Sequence, residues 1–123
     1  MGVAGWYDCQ TRDYPTMTAV STIDAVQLEQ LRKDAPVALL DVRTDAEVAR
    51  GLIEGARHIP LSLLPRRYGE LDPQAVLVIY CQSGARSAQA CAWLAEQGFN
   101  RLYNLQGGLA AWARAGLPIA TPG

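Results

Sequence analysis

The segment from Val76 to Ser87, in which an apolar run ends in a cysteine and a helical pattern follows, constrains the fold of this chain most. A short run rich in valine and isoleucine predicts a buried strand. Ser87 is a good residue for a helix N-terminus and is expected to cap the helix that follows. Cys81 is therefore expected in a tight loop between a strand and a helix. Open α/β folds bind ligands at that edge of the sheet, and backbone N–H groups and the helix dipole stabilise a thiolate there.

The rest of the chain also alternates between strand and helix patterns. Further strands are predicted at residues 37–40, 56–59 and 101–105, helices at 24–31, 44–51 and 109–115, and a loop with one helical turn at 61–71. Each helix offers one apolar face, which favours an α/β fold with a small parallel sheet of about five strands and helices on both faces. Residues 1–17 show no clear periodicity. We interpret them as an N-terminal extension before a single domain at residues 18–123.

Composition narrows the classes of function. A net charge of −1 over 123 residues offers no electrostatic support for nucleic-acid binding, and no apolar run is long enough to span a membrane. The start of the chain lacks the charged and apolar regions of a signal peptide. Three cysteines are an odd and sparse set, which argues against a disulfide scaffold, so a cytoplasmic location is expected. Neither metal-ligand spacing nor a nucleotide-binding glycine motif is present, and we expect no metal or cofactor.

Four stretches, in order, resemble the rhodanese family of single-domain sulfurtransferases over residues 20–118. They are LLDVR at 39–43; a glutamate and glycine at 47 and 51 followed by GARHIP at 55–60; CQSGARS at 81–87; and LQGG at 105–108, followed by Trp112 and GLP at 116–118. The third is similar to the family's active-site pattern C-x-x-G-x-R-S. The resemblance implies the rhodanese fold and a transferase of the thiosulfate sulfurtransferase type.

The resemblance implies that Cys81 is the nucleophile. As a thiolate it takes a sulfane sulfur from a donor such as thiosulfate, and the resulting persulfide passes this sulfur to cyanide or a thiol. Arg86 is the expected electrostatic partner, which lowers the cysteine pKa and attracts an anionic donor. The expected substrate-binding loop comprises Gln82, Ser83, Gly84, Ala85 and Ser87, and the expected structural support beneath it comprises Asp41, Arg43 and Glu47.

The length of the cysteine loop separates two chemistries. Cell-cycle phosphatases and arsenate reductases that share the rhodanese fold have five residues between the cysteine and the arginine, whereas Cys81 and Arg86 enclose four. A tighter cradle suits a sulfur atom better than a tetrahedral oxyanion ester. Sulfur transfer is therefore favoured, with phosphatase or arsenate reductase activity as the weaker alternative.

The chain departs from the family pattern at a few positions. Leu52 and Glu54 replace a histidine and a proline in a segment of structural importance, and Gln82 stands where many thiosulfate-using members have a cationic residue. The change at Gln82 weakens the case for thiosulfate as the natural donor. It leaves open a second hypothesis, a rhodanese-like sulfur-relay or binding module that takes persulfide from a partner such as a cysteine desulfurase.

Five other residues could have a structural or a functional role, and for each the structural or incidental role is expected. Cys91 is expected in the core, with a resolving thiol as the alternative, and Cys9 is expected to be an incidental exposed thiol. His58 is expected to be a structural histidine rather than a general base. Arg66 and Arg67 are expected on a solvated face, with attraction of an anionic donor at the site mouth as the alternative.

Overall fold

The computed structural model describes residues 20–121. A parallel sheet of five strands forms its centre, with the strand order β1-β5-β4-β2-β3. The strands are β1 (Val20–Ile23), β2 (Ala38–Asp41), β3 (Arg57–His58), β4 (Leu77–Tyr80) and β5 (Leu102–Leu105). The helices are α1 (Ala25–Asp34), α2 (Asp45–Ala49), α3 (Leu64–Arg67), α4 (Ala85–Glu96) and α5 (Gly108–Arg114). This confirms the predicted α/β fold and its sheet of about five strands.

Two apolar clusters, one on each face of the sheet, explain why the helices divide between the faces. Successive side chains of β4 point to opposite faces, so Leu77 and Ile79 join one cluster and Val78 and Tyr80 the other. The first cluster contains residues of α3 and α4, and the second contains residues of α1 and α5. Every residue of β4 is buried, as expected for a central strand covered on both faces.

Local sequence explains where several helices begin. Asp24 caps α1 and Thr44 caps α2, each in a reciprocal capping box with the residue three positions later. In the sequence, Thr44 followed three residues later by Glu47 is the pattern of such a box, and Gly51 follows α2 with a φ of 140°. The segment predicted as a loop with one helical turn is more ordered, because α3 lies between two short 3-10 turns, Leu61–Leu63 and Tyr68–Glu70.

One strand was missed and one proposed region lies outside the described residues. Strand β1 pairs with β5 at the edge of the sheet, and its two central residues, Ser21 and Thr22, are exposed. This polar edge strand lacks the apolar run that identified the others.

The N-terminal extension proposed for residues 1–17 and its Cys9 lie outside the described residues. None of the helices between residues 20 and 121 is long and apolar enough to cross a membrane.

Candidate active site

Cys81 directly follows β4, and a tight turn leads from it into α4. The helix begins at Ala85, with Gly84 as its N-cap in the left-handed region at a φ of 115°. Glycine adopts this conformation without the steric cost that a side chain brings. The expectation that Ser87 caps the helix is therefore wrong. Ser87 lies inside the first turn and is fully buried, because Gly84 makes the turn three residues earlier.

The sulfur of Cys81 faces hydrogen-bond donors from this turn. The N–H groups of Gly84 and Ser87 donate to Sγ at 3.0 and 3.4 Å, and the Ser87 hydroxyl lies 3.4 Å from it. Cys81 is only 1% exposed, and burial by itself raises a thiol pKa. The hydrogen bonds from Ser87, from the Gly84 amide and from the Ser83 amide outweigh burial and lower the pKa of Cys81. The loop therefore favours a thiolate that is held largely by backbone amides.

Asn104, on strand β5, completes the hydrogen bonding of the loop and was not identified from the sequence. Its Oδ1 accepts from the Ser87 hydroxyl at 2.6 Å, and its Nδ2 donates to the Gly84 carbonyl at 3.2 Å. These bonds fix Ser87 and the Gly84 turn relative to the neighbouring strand. A polar residue near the carboxyl end of a predicted strand was the available signal, since such residues reach the ligand edge of a parallel sheet.

Helix α5 docks its first turn against the backbone of the cysteine loop. The N–H of Leu109 donates to the Cys81 carbonyl at 2.9 Å, and the N–H of Ala110 donates to the Gln82 carbonyl at 3.1 Å. Gly108 makes this approach possible, because a Cβ there would lie 2.5 Å from the Cys81 carbonyl oxygen. The absence of a side chain at Gly108 therefore allows the two backbones to come together.

Arg86 and Glu47 form a bidentate ion pair across the site. The two guanidinium nitrogens of Arg86 donate to the Glu47 carboxylate at 2.7 and 2.8 Å. The bonds from Arg86 lower the pKa of Glu47 to about 2. Among the described residues, the hydrogen bonds to the Cys81 sulfur come from Gly84 and Ser87 rather than from Arg86. A direct role of Arg86 toward substrate stays a prediction.

Asp41 and Arg43 form a buried ion pair at the end of β2, next to Tyr80. The backbone N–H, Nε and Nη2 of Arg43 donate to the Asp41 carboxylate at 2.7–3.0 Å, and Nη2 also donates to the Gly51 carbonyl at 2.6 Å. The Arg43 guanidinium lies 5.8 Å from the centre of the Tyr80 ring. Glu47 makes its ion pair with Arg86 rather than with Arg43. Arg43 thus connects Asp41, at the end of β2, with the Gly51 carbonyl, which follows α2. The expected role of this pair as support beneath the cysteine loop stays a prediction.

The remaining candidates have clear positions. Gln82, Ser83 and Ala85 are exposed on the loop. His58 Nε2 lies 2.7 Å from the Arg43 carbonyl, to which it donates. Cys91 is buried in the core, and burial raises the pKa of its thiol to about 12. Arg67 is paired with Glu70 on the surface.

A cleft of about 360 Å³ opens beside the cysteine loop. Gln82 forms part of its wall from the loop, and Leu109 forms part of it from the start of α5. The lining is completed by Arg43, Glu47, Arg50, Gly51 and Ile119. The size lies in the range of small-molecule sites, roughly 300–1,000 Å³.

Comparisons with known proteins agree with this architecture. The family model of the Rhodanese-like domain matches residues 24–115. A sulfurtransferase from Allochromatium vinosum is 50% identical over 104 residues, which are 84% of this chain and 97% of that protein. Thiosulfate sulfurtransferase GlpE from Shewanella oneidensis is 32% identical over 99 residues, which are 80% of this chain and 98% of that protein. The crystal structure of a rhodanese-like domain protein from Staphylococcus aureus matches with a TM-score of 0.76 and 30% identity, over 84% of this chain and 99% of that one.

Proposed function

Because this chain belongs to the rhodanese-like domain family, we propose that it is a sulfurtransferase that carries a sulfane sulfur as a persulfide on Cys81. The observation that carries the proposal is the buried Cys81 sulfur with two backbone N–H groups directed at it. The names of the similar proteins, sulfurtransferase and thiosulfate sulfurtransferase, support the same reaction class.

The proposed reaction consists of two displacements at sulfur. First, the Cys81 thiolate attacks the outer sulfur of a donor such as thiosulfate, the S–S bond of the donor breaks, and sulfite leaves with the electron pair. Then an acceptor, cyanide or a thiolate, attacks the outer sulfur of the persulfide. The bond between that sulfur and Sγ breaks, and Cys81 leaves as a thiolate. Covalent catalysis thus divides one transfer into two easier steps.

The geometry of the cysteine loop suits both the thiolate and the persulfide of Cys81. The amides of Gly84 and Ser87 lie at the start of α4 and have no partner within the helix, so they are available to a negatively charged sulfur. In the persulfide the negative charge lies on the outer sulfur, one atom beyond Sγ, and the same concave set of N–H groups is available to it. The four residues between Cys81 and Arg86 make a small cradle, which favours sulfur over a phosphate ester.

A second candidate function is a relay module that receives persulfide from a partner protein such as a cysteine desulfurase. The exposed, uncharged Gln82 on the loop favours it, because an uncharged side chain gives no attraction for a small dianion such as thiosulfate. In either case we propose a cytoplasmic location, since Cys81 and Cys91 are both free and the proposed reaction needs a reduced thiol.

Intact-mass measurement tests the proposal. After incubation with thiosulfate and removal of excess donor, the wild-type protein is expected to carry one added sulfur, the Cys81→Ser variant none, and the Cys91→Ser variant one. Absence of the adduct with thiosulfate, but its formation from a desulfurase and cysteine, would favour the relay module. An adduct that persists in Cys81→Ser, or aryl-phosphate hydrolysis that depends on Cys81, would contradict the proposed function.

A further inference from the structure

The side chains of Ser87 and Asn104 link the Cys81 sulfur to the neighbouring strand. Asn104 lies on β5 opposite Ile79 of β4, and Cys81 follows two residues after Ile79. The Ser87 hydroxyl lies 3.4 Å from the Cys81 sulfur and 2.6 Å from Asn104 Oδ1. Because Ser87 is fully buried, these contacts are made away from solvent.

The orientation of the Asn104 amide follows from its second contact. Its Nδ2 lies 3.2 Å from the Gly84 carbonyl, and a carbonyl oxygen accepts hydrogen bonds but cannot donate them. The NH₂ group must therefore face Gly84, which directs Oδ1 at the Ser87 hydroxyl. Because an amide oxygen is also an acceptor, the hydroxyl is the donor in the 2.6 Å bond.

The Ser87 hydroxyl has one hydrogen and several acceptors that compete for it. Among the described residues these acceptors are Asn104 Oδ1 at 2.6 Å, the Gly84 carbonyl at 3.1 Å and the Cys81 sulfur at 3.4 Å. While Cys81 is a thiol, the shortest contact takes the hydrogen, and the S–H group can donate to Ser87 Oγ. A thiolate has no hydrogen to donate, so the hydroxyl stabilises it only by turning its hydrogen away from Asn104 toward the sulfur.

We infer that Asn104 is a positioning residue, which holds the Ser87 hydrogen while the Cys81 sulfur is protonated or bonded to a second sulfur and releases it to the thiolate. The O–H bond stays intact, and rotation about Cβ–Oγ moves the hydrogen between the two acceptors. When an acceptor attacks the persulfide, the S–S bond breaks with its electron pair on Sγ, and the hydrogen turns to the charge formed there. This last step rests on the proposed function, whereas the exchange between thiol and thiolate does not.

The charged and titratable groups around the cysteine loop stay the same in every variant of the test below. They lie on three other elements as well as on α4: Arg86 on α4 is paired with Glu47 on α2, Asp41 is paired with Arg43 at the end of β2, and His58 lies on β3. The charge of the Cys81 thiolate raises the pKa of Arg86. Since no substitution adds or removes a charge, a change in the pH profile of Cys81 reports on its hydrogen bonds.

The pH profile of Cys81 alkylation by iodoacetamide tests the role of Asn104. Asn104→Leu keeps a side chain of similar size but removes the acceptor, so the hydroxyl is free to donate to the thiolate. The profile is expected to move to lower pH, with alkylation roughly 3- to 10-fold faster below its midpoint. The Gly84 turn should persist, because its carbonyl also accepts from the Ala88 N–H at 3.1 Å. A residue that merely supports the loop would give the opposite shift, since loss of the amide bonds to sulfur raises the pKa of Cys81.

Two further variants make this test specific. In a Ser87→Ala background, Asn104→Leu is expected to leave the profile unchanged, because the hydroxyl that it acts through is absent. Asn100→Leu, at an exposed asparagine that precedes β5, is the matched control and should behave as wild type. The inference would be overturned by an unchanged profile or a shift to higher pH in Asn104→Leu. An equal shift in the Ser87→Ala background or in Asn100→Leu would also overturn it.

The side-chain amide of Asn104 gives a second test that uses the wild-type protein. Its two N–H signals are followed by NMR over the same pH range. They are expected to shift with the midpoint of Cys81 alkylation, because Oδ1 loses its donor as the thiolate forms, and to stay constant in Ser87→Ala. Signals that do not follow Cys81 in wild type, or that follow it equally in Ser87→Ala, would overturn the inference. Neither measurement involves a persulfide, so failure of the proposed sulfur transfer would leave both outcomes interpretable.

Discussion

Cys81 and Cys91 lie in the same apolar cluster beside α4, and both are almost completely buried, yet their thiols differ in acidity. Burial raises the pKa of Cys91 to about 12. Burial acts on Cys81 in the same direction, but hydrogen bonds reverse the effect and lower its pKa. Cys91 lies within the helix, where N–H groups are bonded to carbonyls one turn earlier, whereas Cys81 faces first-turn N–H groups that have no such partner. The available amides, rather than burial, therefore determine which cysteine can react.

Replacing each cysteine by serine is expected to give the largest contrast. Cys81→Ser should lower sulfur transfer by on the order of 10³-fold or more, because the proposed nucleophile is lost. Cys91→Ser should retain transfer but lower the free energy of unfolding by about 1–3 kcal/mol, because a hydroxyl is buried in an apolar site. Steady-state transfer from thiosulfate to cyanide and urea denaturation measure the two effects. Comparable loss of transfer in both variants would remove the distinction between the cysteines.

Gly108→Ala tests whether the contact between α5 and the Cys81 carbonyl keeps the amides in place. We expect a loss of about 2–3 kcal/mol in the free energy of unfolding, because the backbone has a φ of 59° and the new Cβ would meet the Cys81 carbonyl. Persulfide formation should fall as well. Gly116→Ala is the control, since its φ is 77° and no atom lies within 4 Å of the added Cβ. It should cost only about 1–2 kcal/mol and leave persulfide formation unchanged. Equal effects of the two variants would argue against the contact.

Ser87→Ala tests the contribution of the hydroxyl to the acidity of Cys81. Loss of its hydrogen bonds should raise the pKa of Cys81, so the pH profile of alkylation by iodoacetamide moves to higher pH, and stability should fall by about 1 kcal/mol. The pKa of Cys81 is lower in the folded protein than its ordinary value of about 9.0. The stabilisation is therefore complete above that value and is lost as pH falls through the native pKa. Ser87→Ala should reduce this dependence.

Ser83→Ala is the control for Ser87→Ala. The Ser83 side chain is exposed, and this residue lowers the pKa of Cys81 through its backbone N–H, which the substitution retains. Its alkylation profile should match that of wild type. An unchanged profile in Ser87→Ala as well would assign the acidity of Cys81 to the backbone amides alone.

Glu47→Gln is expected to have the smallest effect. Breaking the partly exposed pair with Arg86 should cost about 0.5–1 kcal/mol. The pKa of Glu47 is about 2 in the folded protein and about 4.3 when unfolded. The pair therefore stabilises fully above pH 4.3, and this stabilisation is lost as pH falls toward 2. Urea denaturation at several pH values measures this loss in wild type and its absence in the variant. Glu96→Gln, at an exposed position without an ion pair in residues 20–121, should keep the wild-type dependence.

The same Glu47→Gln variant also sharpens the comparison of the cysteines. Because Arg86 binds Glu47 and not the sulfur, the alkylation profile of Cys81 should stay close to wild type. A large shift in that profile would show that Arg86, and not the amides, sets the acidity of Cys81.

Parts of the fold that rest on local pattern could be predicted from the sequence. Strand β4 is buried throughout and reads as an apolar run, and the capping box of α2 is visible as Thr44 followed by Glu47. Strand β1 was missed because its identity depends on pairing with β5, about 80 residues later. The prediction that Ser87 caps α4 was wrong. The preference of serine for the N-cap does not reveal that the chain turns three residues earlier, at Gly84, with a positive φ.

The candidate site shows the same difference between local pattern and long-range contacts. Cys81 and its loop follow from contiguous residues, so the sequence identifies them. The ion pair of Arg86 joins it to Glu47, 39 residues away, and the bond of Asn104 to Ser87 crosses from another strand. Such contacts depend on how the elements pack, which residue types and spacing alone do not specify.

The pairing of β1 with β5 and the docking of α5 on Cys81 have a consequence for how this chain matures during synthesis. The cradle needs the Leu109 N–H, and the edge strand at residues 20–23 needs residues 102–105. A growing chain that has passed Cys81 but not Leu109 therefore carries this cysteine without the hydrogen bond from α5, and its first strand has no partner strand. Long-range parallel pairing of this kind folds slowly compared with local structure. The Cys81 thiol thus acquires its final environment only late in folding, after nearly all of the domain has been made.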